Sequence, residues 1–272
     1  MKSITVRGIT IPTLGLGTYQ LTGPANVDLM TYALESGYRQ LDTAQMYQNE
    51  EEVGRAIQQS SINREDIFLT TKVLPANLGK ETFLPSVEES LKKLKVDQVD
   101  LLLVHWPNSS LPLEEYITEL MKAQEKGYAN HIGVSNFPIA LIEATLNLGA
   151  NIIANQVEYH LFLDQQKLLS TCRKYDIMLT AYSPIAQGKV IGNEIVESLG
   201  KKYGKSATQI SLRWLVQQDK VSAIPRSSKK ERVDENADIF DFELSPKDMD
   251  LLRQLHSPSG RLVVPPDSPA WD

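Results

Sequence analysis

Val99-Asp-Leu-Leu-Leu-Val-His-Trp106 is an almost unbroken apolar run that ends in a histidine and a tryptophan, with Pro107 directly behind them. A strand wetted on one face alternates apolar and polar side chains, whereas a strand covered on both faces reads as continuously apolar. This stretch is of the second kind and belongs in a parallel sheet packed on both sides. Seven more short runs read the same way: LGLGT (14–18), RQLDT (39–43), IFLTTKV (67–73), HIGVSN (131–136), IIANQVEY (152–159), IMLTAYS (177–183) and VSAIPR (221–226).

Between these runs the apolar residues change to a helical period. Residues 49–59 put Val53, Ala56 and Ile57 on one face, and 84–94 do the same with Val87, Leu91 and Leu94. Further helices are expected over 27–36, 114–126, 138–147, 164–175, 207–218, 229–238 and 246–256. Eight strands, each followed by a helix, predict an α/β fold, the (β/α)8 or TIM barrel. SITV and ITIP, joined at Arg7-Gly8, predict a β-hairpin over 3–12 at the N-terminus. No linker divides the chain, so residues 1–272 are expected to form one domain that ends in an irregular, proline-rich tail over 257–272. The stretch 184–206 exceeds a minimal strand-to-helix loop and is expected to form an extra loop or short helix over the barrel mouth.

The 272 residues, 42% of them hydrophobic, are enough for one barrel with its own core. A formal net charge of −6 argues against nucleic acid or an anionic membrane as partner. There is neither a signal-peptide pattern nor an apolar run approaching the roughly 18 residues of a membrane span, so a cytoplasmic location is expected. Cys172 is the sole cysteine, which excludes an intrachain disulfide and a zinc-binding cysteine cluster; no metal is expected. No heptad pattern is present, so a monomer is the default expectation. Two glycine motifs carry no weight. Gly15-Leu16-Gly17 lacks the third glycine of a dinucleotide fingerprint, and Gly200 to Ser206 has three residues between its glycines where a phosphate-binding loop has four.

In this fold, sites lie at the C-terminal ends of the strands. Those positions hold Asp42, Lys72, His105, Ser135, Asn136, Gln156, Tyr182 and Arg226, with Tyr47 just beyond one of them. Taken singly, each reads equally well as a structural residue: Asp42 as a turn cap, His105 as a satisfied core histidine. Their common placement at one end of one barrel favours a site. A lysine ending an apolar strand also needs an acidic partner, and Asp42 is the natural one for Lys72.

LDTAQMYQNEEEVG (41–54), LLLVHWP (101–107), HIGVSNF (131–137) and NQVEYH (155–160), in that order, resemble the aldo-keto reductase superfamily. The resemblance covers essentially the whole chain and is greatest to the small bacterial reductases of 2,5-diketo-gluconate and methylglyoxal. It implies an enzyme that passes hydride from NADPH to the carbonyl carbon of small aldehydes, 2-oxoaldehydes or keto-sugars. Tyr47 is implied as proton donor, with the Lys72 ammonium lowering its pKa, Asp42 holding Lys72, and His105 orienting the substrate oxygen. Tyr19, Tyr47, His105 and Trp106, with Trp271, are implied to wall the substrate pocket.

On the cofactor side the resemblance implies Gly17, Thr18 and Asp42, with Ser135, Asn136 and Gln156 on the nicotinamide carboxamide and Tyr182 stacked on its ring. Arg226, Ser227, Arg232, Glu235 and Asn236 fall on the adenosine-side segment. The forked donors of Arg226 and Arg232 suit a 2′-phosphate, which points to NADP. The chain departs from the pattern at Arg226, where relatives often have lysine, at Tyr19, often tryptophan, and at Leu161, often proline. The rival readings are a non-catalytic nicotinamide-nucleotide sensor or scaffold on the same barrel, and a lyase with Lys72 as nucleophile. The second is disfavoured because a lysine paired with Asp42 stays charged.

Overall fold

The computed structural model describes residues 1–272. Strands β1 (Ser3–Val6) and β2 (Ile9–Pro12) pair antiparallel as the expected hairpin, with Ile4 opposite Ile11. Arg7 (φ 48°) and Gly8 (φ 79°) form its two-residue turn, the left-handed pair that matches the twist of tight hairpins.

The barrel strands are β3 (Leu16–Gly17), β4 (Gln40–Asp42), β5 (Phe68–Val73), β6 (Val99–Val104), β7 (Ala129–Ser135), β8 (Ile152–Glu158), β9 (Met178–Tyr182) and β10 (Val221–Ala223). They neighbour one another in chain order, and every adjacent pair is parallel. The first strand also meets the last. Gly15 N–H donates to Ala223 O at 2.9 Å and Gly17 N–H to Pro225 O at 3.1 Å, which joins the sheet's edges into a barrel. The backbones come so close here that a Cβ on Gly17 would lie 2.7 Å from Ile224 O, so the seam requires glycine.

The helices are α1 (Pro24–Glu35), α2 (Glu50–Gln59), α3 (Phe83–Leu94), α4 (Leu113–Glu125), α5 (Ile139–Asn147), α6 (Gln166–Lys174), α7 (Glu194–Tyr203), α8 (Ala207–Val216), α9 (Lys230–Ala237) and α10 (Pro246–Arg253). Leu102 and Val104 face outward into the main core between sheet and helices. Leu101 and Leu103 point inward, where Ile153, Ala154 and Met178 meet Val6 and Ile11 of the hairpin, which closes the barrel floor. That two-sided burial is why Val99–Val104 reads as continuously apolar.

One expectation needs correction: α10 ends at Arg253, short of residue 256. The segment 184–206 forms a short helical turn, Ala186–Gly188, soon after β9 and then α7, which packs on α8 and α10. Lys202 Nζ and Tyr203 OH donate to Asp248 of α10 at 2.6 and 2.5 Å and hold α7 there.

Candidate active site

Alternation along the strands builds the site. Side chains two residues apart share a face, so Gln40 and Asp42, Thr70 and Lys72, Leu103 and His105, Ala154 and Gln156, and Thr180 and Tyr182 fall on the inward side. The lower member of each pair fills the barrel, and the upper member faces its open end.

Lys72 is fully buried, and its ammonium is the hub. Nζ donates to Asp42 Oδ1 at 2.5 Å and to Thr43 O at 2.7 Å, and lies 3.4 Å from the Tyr47 hydroxyl. Burial disfavours the ammonium, yet Asp42 and Tyr47 beside it outweigh that and hold Lys72 above the usual lysine value. Burial likewise raises Asp42, against the pull of Lys72 and of Gln156, whose Nε2 donates to Asp42 Oδ2 at 2.7 Å. Tyr47 sits on the single turn Gln45–Tyr47 after β4, with its ring edge-on to Tyr19 (5.1 Å between centroids) and to His105 (5.6 Å). Lys72 lowers the Tyr47 pKa, as expected, yet the net shift is upward. Burial raises it by more than Lys72 lowers it, and the Asp42 charge adds to the rise.

His105 is buried, and its pKa is lowered well below the usual histidine value, first by burial and then by the Lys72 charge. Its Nδ1 is enclosed without a partner. Placing the single proton of the neutral ring on Nε2 leaves only an acceptor unpaired and makes Nε2 the ring's donor.

The polar row beyond these four is continuous with them. Ser135 Oγ donates to Gln156 O at 2.8 Å. Asn136, at φ 63°, donates to His105 O and Ser135 Oγ at 3.0 Å each and accepts from Tyr182 OH at 2.9 Å. Gln156 Nε2 is taken by Asp42, while its amide oxygen accepts nothing from the protein. Thr18 donates to Asp42 O at 3.0 Å, and Gly17 bridges to Arg226 across the seam. Arg226 and Arg232 are exposed, and neither makes an ion pair. Ser227 is buried and exchanges hydrogen bonds with the Lys229 backbone, Asn236 is buried on α9, and Glu235 accepts from Ser206 Oγ at 2.5 Å. Of the expected pocket wall, Tyr19 is exposed beside Tyr47, and Trp106 meets Trp271 edge-on at 6.1 Å.

Sequence reasoning missed three participants. Asn49, fully buried, accepts from Thr43 Oγ at 2.9 Å and donates to Thr18 O and Leu21 O at 2.7 and 3.0 Å, clamping the turn that carries Tyr47. Its place at the start of an acidic helix turn was the available signal. Thr43 contributes a backbone carbonyl, for which sequence gives none. Glu158 lies two residues past Gln156 on the same inward side, a spacing that was there to be used. Its buried carboxylate accepts from Leu262 N and Val263 N at 2.8 and 3.0 Å and contacts His160 Nε2 at 3.0 Å, drawing the C-terminal tail across the mouth. The tail is tied again where Ile139 N donates to Asp272 Oδ2 at 2.9 Å.

Comparisons with known proteins agree with this fold. A 2,5-diketo-D-gluconic acid reductase B, as its crystal structure is described, superposes with a TM-score of 0.98 over 100% of this chain and 98% of its own, at 44% identity. The aldose reductase of Schistosoma japonicum superposes at 0.90 over 95% and 94%, with 30% identity. Methylglyoxal reductase DkgB of Escherichia coli O157:H7 is 37% identical over 269 residues, 97% of this chain and 100% of its own. Glyoxal reductase of Bacillus subtilis (strain 168) is 40% identical over 252 residues, 92% and 90% of the two chains. The sequence profile of the Aldo/keto reductase family matches residues 13–257. The chain belongs to the aldo/keto reductase family and is an oxidoreductase.

Proposed function

We propose that the protein reduces small carbonyl compounds, 2-oxoaldehydes foremost, with NADPH as hydride source and Tyr47 as proton donor. The observation that carries this reading is the buried Lys72 ammonium set between the Asp42 carboxylate and the Tyr47 hydroxyl, with the Tyr47 ring edge-on to neutral His105. The names of the relatives, a methylglyoxal reductase and a glyoxal reductase, support the substrate class.

The residues present fit a nicotinamide nucleotide. The free Gln156 amide oxygen, with Ser135 and Asn136 beside it, suits a carboxamide; the Tyr182 ring suits stacking; unpaired Arg226 and Arg232 suit a phosphate on the adenosine side, hence NADPH. Bound there, the nucleotide supplies the hydride. The chain's own groups handle the oxygen. A substrate oxygen held by His105 Nε2–H and the Tyr47 hydroxyl gains negative charge as its carbon is reduced. Tyr47 then donates its proton, and the nearby ammonium stabilises the phenolate left behind. Tyr47 is protonated at neutral pH because burial keeps its pKa above the usual tyrosine value. Asp42 keeps Lys72 charged and aimed.

The test is NADPH oxidation, followed by absorbance with methylglyoxal, glyceraldehyde and 2,5-diketo-gluconate, for the wild type and Tyr47→Phe. The expected result is turnover by the wild type and a fall of about 10²–10⁴ in kcat for the variant, with NADPH affinity retained. Tight NADPH binding with no turnover on any carbonyl would replace this reading with a non-catalytic sensor.

A further inference from the structure

Asn49 directly precedes α2, two residues beyond Tyr47, and its side chain is fully buried. Its three bonds, to the Thr18 and Leu21 carbonyls and from the Thr43 hydroxyl, use the amide in one orientation only, with the NH2 group toward the two carbonyls. A carboxylate of the same shape has no hydrogen to give them.

These bonds reach two parts of the site. The Thr43 carbonyl accepts from Lys72 Nζ at 2.7 Å, so the residue that Asn49 grips also seats the ammonium. Thr18 and Leu21 are the ends of the turn that carries Tyr19, closed by Leu21 N–H donating to Thr18 O at 2.9 Å. Tyr19 is the ring that stands edge-on to Tyr47.

Glu50, the next residue and also buried, repeats the arrangement on the neighbouring strand. Its Oε1 accepts from Thr71 Oγ at 2.6 Å, and Thr71 directly precedes Lys72 on β5, just as Thr43 directly follows Asp42. The start of α2 therefore holds both strands of the ion pair, that of Asp42 through Asn49 and that of Lys72 through Glu50. An ammonium has three donors. Two go to Asp42 and Thr43, so fixing those acceptors fixes the direction of the third, toward the Tyr47 hydroxyl 3.4 Å away.

We propose that Asn49 is a positioning residue for proton transfer: together with Glu50 it holds Thr43 and Thr71 so that the Lys72 ammonium stays aimed at the Tyr47 hydroxyl. The inference rests on the carbonyl-reductase reading above.

Two variants test it. Asn49→Ala removes all three amide contacts, and Thr43→Val/Thr71→Val removes only the two hydroxyls while keeping β-branched side chains of the same shape. The second carries the test if the first does not fold. Each would be compared with the wild type in methylglyoxal reduction in H2O and in D2O, in NADPH binding followed by tryptophan fluorescence, and by crystallography. The expected fall in kcat is about 10–100-fold, the scale of a misplacement near 1 Å. The solvent isotope effect on kcat should exceed that of the wild type, because proton donation slows relative to the other steps. NADPH affinity should change far less than kcat, and the distance from Lys72 Nζ to the Tyr47 hydroxyl should lengthen from 3.4 Å. Wild-type kcat in the variants, a fall in kcat with an unchanged isotope effect, or an equal loss of NADPH affinity would each overturn the proposal. No turnover by the wild type would be a failure of the reductase reading instead. The crystallographic distance then decides alone: lengthening supports the brace, and an unchanged distance overturns it.

Discussion

Lys72 carries its charge with no exposed surface, against a carboxylate that is 1% exposed. Removing one member of such a pair strands the other charge in the interior, whereas removing both charges together relieves most of the strain. Lys72→Met should therefore lose about 3–5 kcal/mol of stability. Asp42→Asn/Lys72→Met should recover most of that loss and remain as inactive as the single variant. Denaturant unfolding alongside NADPH oxidation checks this, and a single variant as stable as wild type would mean that the pair is not ionised. The identity of this pair was legible in sequence, because a two-residue period places Asp42 and Lys72 at the ends of neighbouring inward-facing rows. The Tyr47 pKa was not legible. Its direction depends on how deeply the phenol sits relative to a charge 3.4 Å away, and only packing sets that depth. Asn49 escaped for a related reason: the Thr18 and Leu21 carbonyls it clamps are reached through the fold and leave no trace in local sequence.

At the scale of elements, strands and helices were legible because burial on one or two faces writes its period into the chain. The outward placement of α7 was not, since a helical period does not say which neighbour the helix will meet. Its position is decided by Asp248, on the first turn of α10, which accepts from Lys202, Tyr203 and Ser245 Oγ. Those donors, Lys202 first, push the Asp248 pKa below the usual carboxylate range. A depressed carboxylate contributes stability that is complete above its unfolded value, about 3.9, and is lost as pH falls toward its folded one. Asp248→Asn should thus unfold at a lower temperature than wild type at pH 7, with the gap narrowing as pH drops below about 4. Thermal unfolding across that range is the check, and a gap that does not change with pH would show that the carboxylate's charge is not what anchors α7.

Over the whole molecule, the count of eight strands was enough to expect closure, and the hydrogen bonds from Gly15 and Gly17 to the β10 side supply it. Closure brings side chains from residues 42 to 182 to one rim, and the hairpin shuts the opposite end. No helix is long and apolar enough to cross a membrane. The path of the tail could not be read in advance, because it depends on one buried acid, Glu158, meeting two backbone N–H groups more than a hundred residues away. On the function proposed above, this rim carries hydride from a nicotinamide to a carbonyl carbon while Tyr47 supplies the proton. Its most direct test uses NADPH deuterated at the transferring position of nicotinamide C4, with methylglyoxal and mass analysis of the product. One deuterium is expected on the carbon that gains the hydroxyl with wild type, and almost no labelled product with Tyr47→Phe. Unlabelled product, or NADPH that stays bound and unoxidised with every carbonyl offered, would contradict it.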